Sequence, residues 1–251
     1  MFLVIVVGDE TSMDKLLVAL DVDSGARALE LAAQLRTVVG GFKVGSRLFT
    51  LEGPALVRTL VDSGARVFLD LKFHDIPNTV AQAVDSAVQS GAWMINVHAS
   101  GGIPMMHAAG DSGRNAAARL NRPAPLLIAV TVLTSMDDGT LCEVGVQRPL
   151  REHVIALARM TQEAGLDGVV ASPQETAAIR ATCGSNFVIV TPGIRGASAG
   201  TERHDQSRTM GPAEAVEAGA SYIVVGRPII AATDPRKAAE SIAAELERAG
   251  A

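Results

Sequence analysis

Short apolar runs alternate along this chain with longer segments in which apolar residues recur every three or four positions. The short runs predict strands at 16–20, 41–44, 67–71, 94–97, 126–132, 168–170, 187–190 and 222–225. The longer segments predict helices. Ser24 caps one that runs to about residue 38, and others cover 54–63, 79–90, 103–119, 149–164, 173–181, 212–218 and 235–248. The strands are continuously apolar rather than alternating, as parallel strands covered by helices on one side and a packed interior on the other must be. Eight strand–helix units in about 235 residues predict an α/β chain folded as a (β/α)8 TIM barrel. The barrel is expected to form a single catalytic domain over 15–251, preceded by an N-terminal extension, 1–14. An open, doubly wound sheet is disfavoured, because no Gly-x-Gly-x-x-Gly follows the first strand.

The 251 residues, 48% of them hydrophobic, are enough to bury a large core. The net charge of −5 excludes nucleic acid as the expected partner, since such binders carry a basic stripe. Any anionic ligand must be held by a few local cations and backbone donors. Cys142 and Cys183 show no metal-type spacing, and a reduced, cytoplasmic setting follows. The apolar start, 1–7, is ended by Gly8-Asp9-Glu10, too short for a membrane span and without the basic region of a signal peptide. No membrane partner is expected.

Polar residues gather where strands run into the following loops, the end at which barrels of this type carry their chemistry. Asp21 and Asp23 follow the first strand, and Lys43 ends the second. Asp70, Lys72 and Asp75 end the third, and Asn96 and His98 the fourth. Thr131, Thr134 and Ser135 follow from the fifth, Thr191 and Arg195 from the seventh, and Arg227 from the eighth. Strand alternation puts Asp70 and Lys72 on one side, with Asp75 three residues on, where Pro77 and Asn78 bend the chain. A lysine between two carboxylates at the end of an apolar strand is costly to bury. Neighbouring carboxylates favour its ammonium form, whereas a Schiff-base lysine must be neutral, so a proton donor or electrostatic anchor is expected.

Thr191-Pro192-Gly193-Ile194-Arg195-Gly196 and Gly226-Arg227-Pro228 follow strands seven and eight, where barrels commonly bind phosphate. Glycine admits backbone N–H groups to the oxygens, and arginine supplies a charged fork. The five histidines share no metal spacing. Asp70, His74 and Asp75 could hold a cation, but Lys72 in their midst opposes it.

The ten residues Asp70-Leu71-Lys72-Phe73-His74-Asp75-Ile76-Pro77-Asn78-Thr79 resemble the signature of the bacterial orotidine 5′-phosphate decarboxylase family. Ala19-Leu20-Asp21, Phe42-Lys43-Val44-Gly45, Asn96-Val97-His98-Ala99-Ser100-Gly101-Gly102, Val130-Thr131-Val132-Leu133-Thr134-Ser135, Thr191-Pro192-Gly193-Ile194-Arg195 and Val225-Gly226-Arg227-Pro228 match in order. The resemblance runs from about Leu16 to the C-terminus and finds no counterpart for the residues before about Lys15.

The resemblance implies decarboxylation of orotidylate to uridylate, the last step of de novo pyrimidine synthesis, with no cofactor and no metal. It makes Lys72 the proton donor to C6 and sets Asp70 against the substrate carboxylate. Asp21 and Lys43 would hold the ribose hydroxyls and complete the charged array. Thr134 would lie near the pyrimidine. Arg195, Gln206, Gly226 and Arg227 would bind the phosphate region, although 196–209 also carries Arg203 and Arg208. It further implies a homodimer in which Asp75 and Thr79 complete the partner's site. The shorter Asp-x-Lys-x-x-Asp core is shared with metal-dependent lyases acting on sugar phosphates. A non-catalytic phosphate sensor would not need a lysine among carboxylates.

Overall fold

A computed structural model describes residues 12–194 and 210–249. Its eight parallel strands close into one barrel in chain order, each paired with the strands before and after it. They are β1 (Leu16–Ala19), β2 (Gly41–Gly45), β3 (Val67–Phe73), β4 (Met94–His98), β5 (Leu126–Val130), β6 (Gly168–Val170), β7 (Val188–Thr191) and β8 (Tyr222–Val225). The expected (β/α)8 barrel is the observed fold.

Both faces of each strand are buried, but against different partners. Leu17, Phe68, Met94, Ile128 and Val224 fill the barrel interior. Leu16, Val18, Val44, Leu69, Ile95 and Val97 face the helix layer instead. The period of two then sets what stands at the top of the interior. Lys43 shares the parity of Gly41, Asp70 that of Phe68, and Asn96 that of Met94. Three polar side chains are thereby aimed into the upper barrel by the same alternation that buries the apolar ones below.

The helices are α1 (Gly25–Leu35), α2 (Ser46–Asp62), α3 (Pro77–Gln89), α4 (Gly102–Arg119), α5 (Asp138–Glu143), α6 (Leu150–Glu163), α7 (Thr176–Cys183), α8 (Pro212–Glu217), α9 (Arg227–Ile230) and α10 (Pro235–Ala249). Ser24 caps α1 as expected, its hydroxyl accepting from the Arg27 N–H. α2 starts eight residues before the expected 54, at Ser46, and is broken at Gly53, whose φ of 66° only glycine adopts readily. The Gly53-Pro54 pair restarts a helix rather than starting one.

Two short helices were not expected. α5 lies after β5 and is capped by the Asp137 carboxylate on the Thr140 N–H. α9 begins at Arg227, so the Gly-Arg-Pro loop is the first turn of a helix. β5 ends at Val130, short of the expected 132. Beyond it, the Thr131 backbone N–H and hydroxyl both bond to the Val170 carbonyl. Of the extension expected over 1–14, Ser12 to Asp14 enter a 3-10 turn, Ser12–Lys15, that leads into β1. The residues before Ser12 lie outside those described. Among the described residues no helix is long and apolar enough to cross a membrane.

Candidate active site

The C-terminal ends of β1, β2 and β3 bring four charges into a line of alternating sign. Asp21 lies 3.3 Å from Lys43 Nζ, and Lys43 Nζ lies 3.4 Å from Asp70 Oδ2. The other Asp70 oxygen accepts from Lys72 Nζ at 2.6 Å. Exposure falls inward along the line: the Asp21 side chain is 57% exposed, Lys43 12% and Asp70 10%. Gly45 leaves room beside the line, since a Cβ there would stand 3.0 Å from Lys43 Nζ and crowd it.

Burial pushes the Asp70 carboxyl up, but Lys43, Lys72 and the hydrogen bonds from Lys72 and Asn96 outweigh it. The carboxyl is held below its usual range and is ionised at neutral pH.

β3 does not run regularly through this point. Leu69 pairs with Ile95 and Phe73 with Val97, so Asp70, Leu71 and Lys72 stand against Asn96 alone. Lys72 takes a left-handed backbone, φ 54°, uncommon for a residue with a Cβ. Asn96, fully buried, spans the irregularity. Its Oδ1 accepts from the Lys72 N–H at 2.8 Å, and its Nδ2 donates to Asp70 Oδ1 at 2.7 Å. Sequence reasoning placed Asn96 at a strand end without giving it a role. The available signal was an amide in the middle of an apolar strand, Met94-Ile95-Asn96-Val97.

Asp75 departs from the expectation that Lys72 sits between two carboxylates of its own chain. The Asp75 carboxylate is exposed and accepts from the N–H of Ile76 at 2.7 Å. Among the described residues Lys72 is ion-paired to Asp70 alone. Thr79 is exposed on the first turn of α3. The cation reading of Asp70, His74 and Asp75 is also not met, because no group of three or more such ligands forms among the described residues. His74 instead stacks on His98, ring centroids 5.3 Å apart. Burial, with His74 and Lys72 nearby, holds the His98 imidazole below its usual range.

Of the other strand-end residues, Thr134 is half-buried after β5. The Thr191 hydroxyl lies 3.3 Å from that of Thr176 on α7, which directs it to the helix layer rather than the mouth. Gly226 caps α9 beside the charged line, where a Cβ would stand 3.8 Å from Asp21 Oδ2. Arg227 is exposed next to it. Arg195, Arg203, Gln206 and Arg208 lie outside the described residues.

Two further contacts brace the loop that carries Asp21. Arg47 of α2 pairs with Asp23. Glu52, just before the α2 break, accepts from the Gly25 N–H at 2.6 Å and so caps α1 from a neighbouring element.

The chain and its fold have close counterparts. A protein of Moorella thermoacetica named orotidine 5′-phosphate decarboxylase is 57% identical over 235 residues, 93% of this chain and 92% of that one. One from Syntrophotalea carbinolica with the same name is 53% identical, covering 94% of this chain and 96% of its own. The crystal structure of orotidine 5′-phosphate decarboxylase from Lactobacillus acidophilus superposes with a TM-score of 0.81 at 38% identity, covering 92% of this chain and 98% of that one. The model of the orotidine 5′-phosphate decarboxylase / HUMPS family matches residues 14–242, and the chain belongs to that family.

Proposed function

We propose that this enzyme is a carboxy-lyase that converts orotidine 5′-phosphate to uridine 5′-phosphate in pyrimidine biosynthesis, without metal or cofactor. The observation that carries the reading is the line Asp21–Lys43–Asp70–Lys72, which presents an ammonium held 2.6 Å from a buried carboxylate. The relatives' shared name supplies the substrate class.

The chemistry needs little beyond these residues. The bond from C6 to the substrate carboxylate breaks, carbon dioxide leaves, and the electron pair stays at C6. The Lys72 ammonium stabilises that charge as it develops and then gives C6 a proton. Lys72 recovers its proton from solvent. Asp70, ionised at neutral pH, faces the substrate carboxylate. Two such charges ~4 Å apart repel by about 4 kcal/mol at an effective dielectric of ~20. The repulsion disappears as neutral carbon dioxide departs.

Asp21 and Lys43 bind the ribose hydroxyls, and Thr134 lies near the pyrimidine. Gly226 and Arg227, with Arg195 and Gln206, take the phosphate. Phosphate contacts far from C6 supply binding energy that offsets the repulsion.

The working unit in this reading is a homodimer. Asp75 and Thr79 are exposed beside the mouth, next to Ile76, which is 67% exposed. They are free to enter a second copy's site. Mixing Lys72→Ala with Asp75→Asn chains tests the sharing. A hybrid has one intact site, so a 1:1 mixture should recover about a quarter of the full activity. No recovery rules the sharing out. Two free cysteines fit a reducing cytoplasm.

Turnover in deuterium oxide, followed by proton NMR, tests the reaction itself. Orotidylate should give uridylate carrying one deuterium at C6, with carbon dioxide released. Absence of uridylate contradicts the assignment.

A further inference from the structure

We propose that Asn96 is a positioning residue for this site, its amide fixing the Lys72 backbone and the Asp70 carboxylate in a single register. The inference rests on the decarboxylase reading for its kinetic consequence, but its geometric part stands alone. Asn96 is fully buried, and both ends of its amide bond to the charged strand. Its orientation is settled by chemistry: only the oxygen can accept from the Lys72 N–H, and only the nitrogen can donate to a carboxylate.

The contact is made where it is most needed. Three residues of β3 stand against this one residue of β4, so the side chain replaces a ladder bond that the irregular register removes. It also holds Lys72 at φ 54°, a backbone that Lys does not adopt without support. The Asp70 oxygen that takes the Asn96 donor is also the one that takes Lys72 Nζ. Asn96 therefore sets where that oxygen sits, and the oxygen sets where the ammonium sits. Asp70 also faces Lys43 from β2, with Asp21 from the loop after β1 beyond it.

Two variants test this. Asn96→Ala removes both bonds. Asn96→Asp keeps the acceptor for the Lys72 N–H but replaces the donor to Asp70 with a second anion. Thermal unfolding first establishes that each variant is folded, and the near-isosteric Asn96→Asp serves if Asn96→Ala is not. Carbon NMR of the Asp carboxylates then follows Asp70 without substrate. The Asp70 titration should move upward in both variants, further in Asn96→Asp. In the orotidylate assay, Asn96→Ala should lose about 10²-fold in kcat with KM nearly unchanged, as misplacement of a reacting group costs.

An unmoved Asp70 titration in a folded variant overturns the positioning role, as does wild-type kcat in Asn96→Ala. A wild-type protein inert toward orotidylate, with the Asp70 shift intact, contradicts the decarboxylase reading and supports the positioning.

Discussion

At the N-terminal end of the barrel, Arg66 is held on three sides. Its Nε donates to the Gly40 carbonyl at 2.7 Å, a terminal nitrogen pairs with Asp14 at 2.6 Å, and its guanidinium lies 4.8 Å from the Trp93 ring centroid. Trp93 in turn meets Tyr222 edge-on at 5.3 Å. At the C-terminal end, Lys43 and Lys72 share the single buried carboxylate of Asp70. Both ends place cations against the same closed sheet. The lower cation is matched by a carbonyl, a carboxylate and a ring, and the cluster seals the barrel. The upper cations outnumber their buried anion, and Lys72 remains about one-third exposed where a ligand can reach it. The difference separates charge that closes a structure from charge arranged to act on something else.

Substitutions at the two ends should divide along that line. The largest effect is expected from Lys72→Ala, which should lower kcat about 10²–10⁴-fold, the range for a lost proton donor. The variant should remain folded, with a stability loss no larger than that of Asp70→Asn, because Asp70 keeps Lys43 and Asn96 as partners. A kcat within tenfold of wild type would remove Lys72 from the chemistry.

Asp70→Asn should combine a large kinetic loss with a stability change that depends on pH. The folded Asp70 carboxyl titrates below its ordinary value of 3.8, so its contribution is present above that pH and is lost as pH falls through the folded value. The variant should be less stable than wild type at pH 7 by about 1–3 kcal/mol, because two cations lose their shared partner. The gap should close below about pH 4. Denaturant unfolding at pH 7 and at pH 3 checks the sign, and a gap that widens in acid would contradict it.

The smallest effect on activity is expected at the other end. Arg66→Gln should cost about 1–2 kcal/mol of stability through the lost pair and ring contact. Its kcat should match that of wild type. A kinetic loss there without unfolding would erase the distinction between the two ends.

Much of the architecture was legible in the apolar runs, because a strand covered on both faces must be continuously apolar whatever its neighbours do. Ser24 was equally plain, since a hydroxyl before an apolar periodic segment has a local task. The irregular register at 70–72 was not. It arises from how β3 meets β4, and no glycine or proline marks it. Strict alternation placed Asp70 and Lys72 side by side, which is where they are, but for a different reason: Lys72 turns left-handed and Asn96 holds it.

The second carboxylate expected beside Lys72 is not supplied by Asp75 of the same chain, because β3 has ended by then and the chain turns out to solvent toward Pro77. The first half of α2 was missed because Gly53-Pro54 reads as a helix start, although a helix already runs into it. Asn96 was visible but unassigned, as one polar residue in a strand does not announce its partners.

The most direct test of the account is the initial rate of orotidylate absorbance loss in excess EDTA, compared with the rate after magnesium is added. If the charged line at the mouth is sufficient, the two rates are equal and rapid. No turnover, or turnover that appears only with the metal, would contradict it.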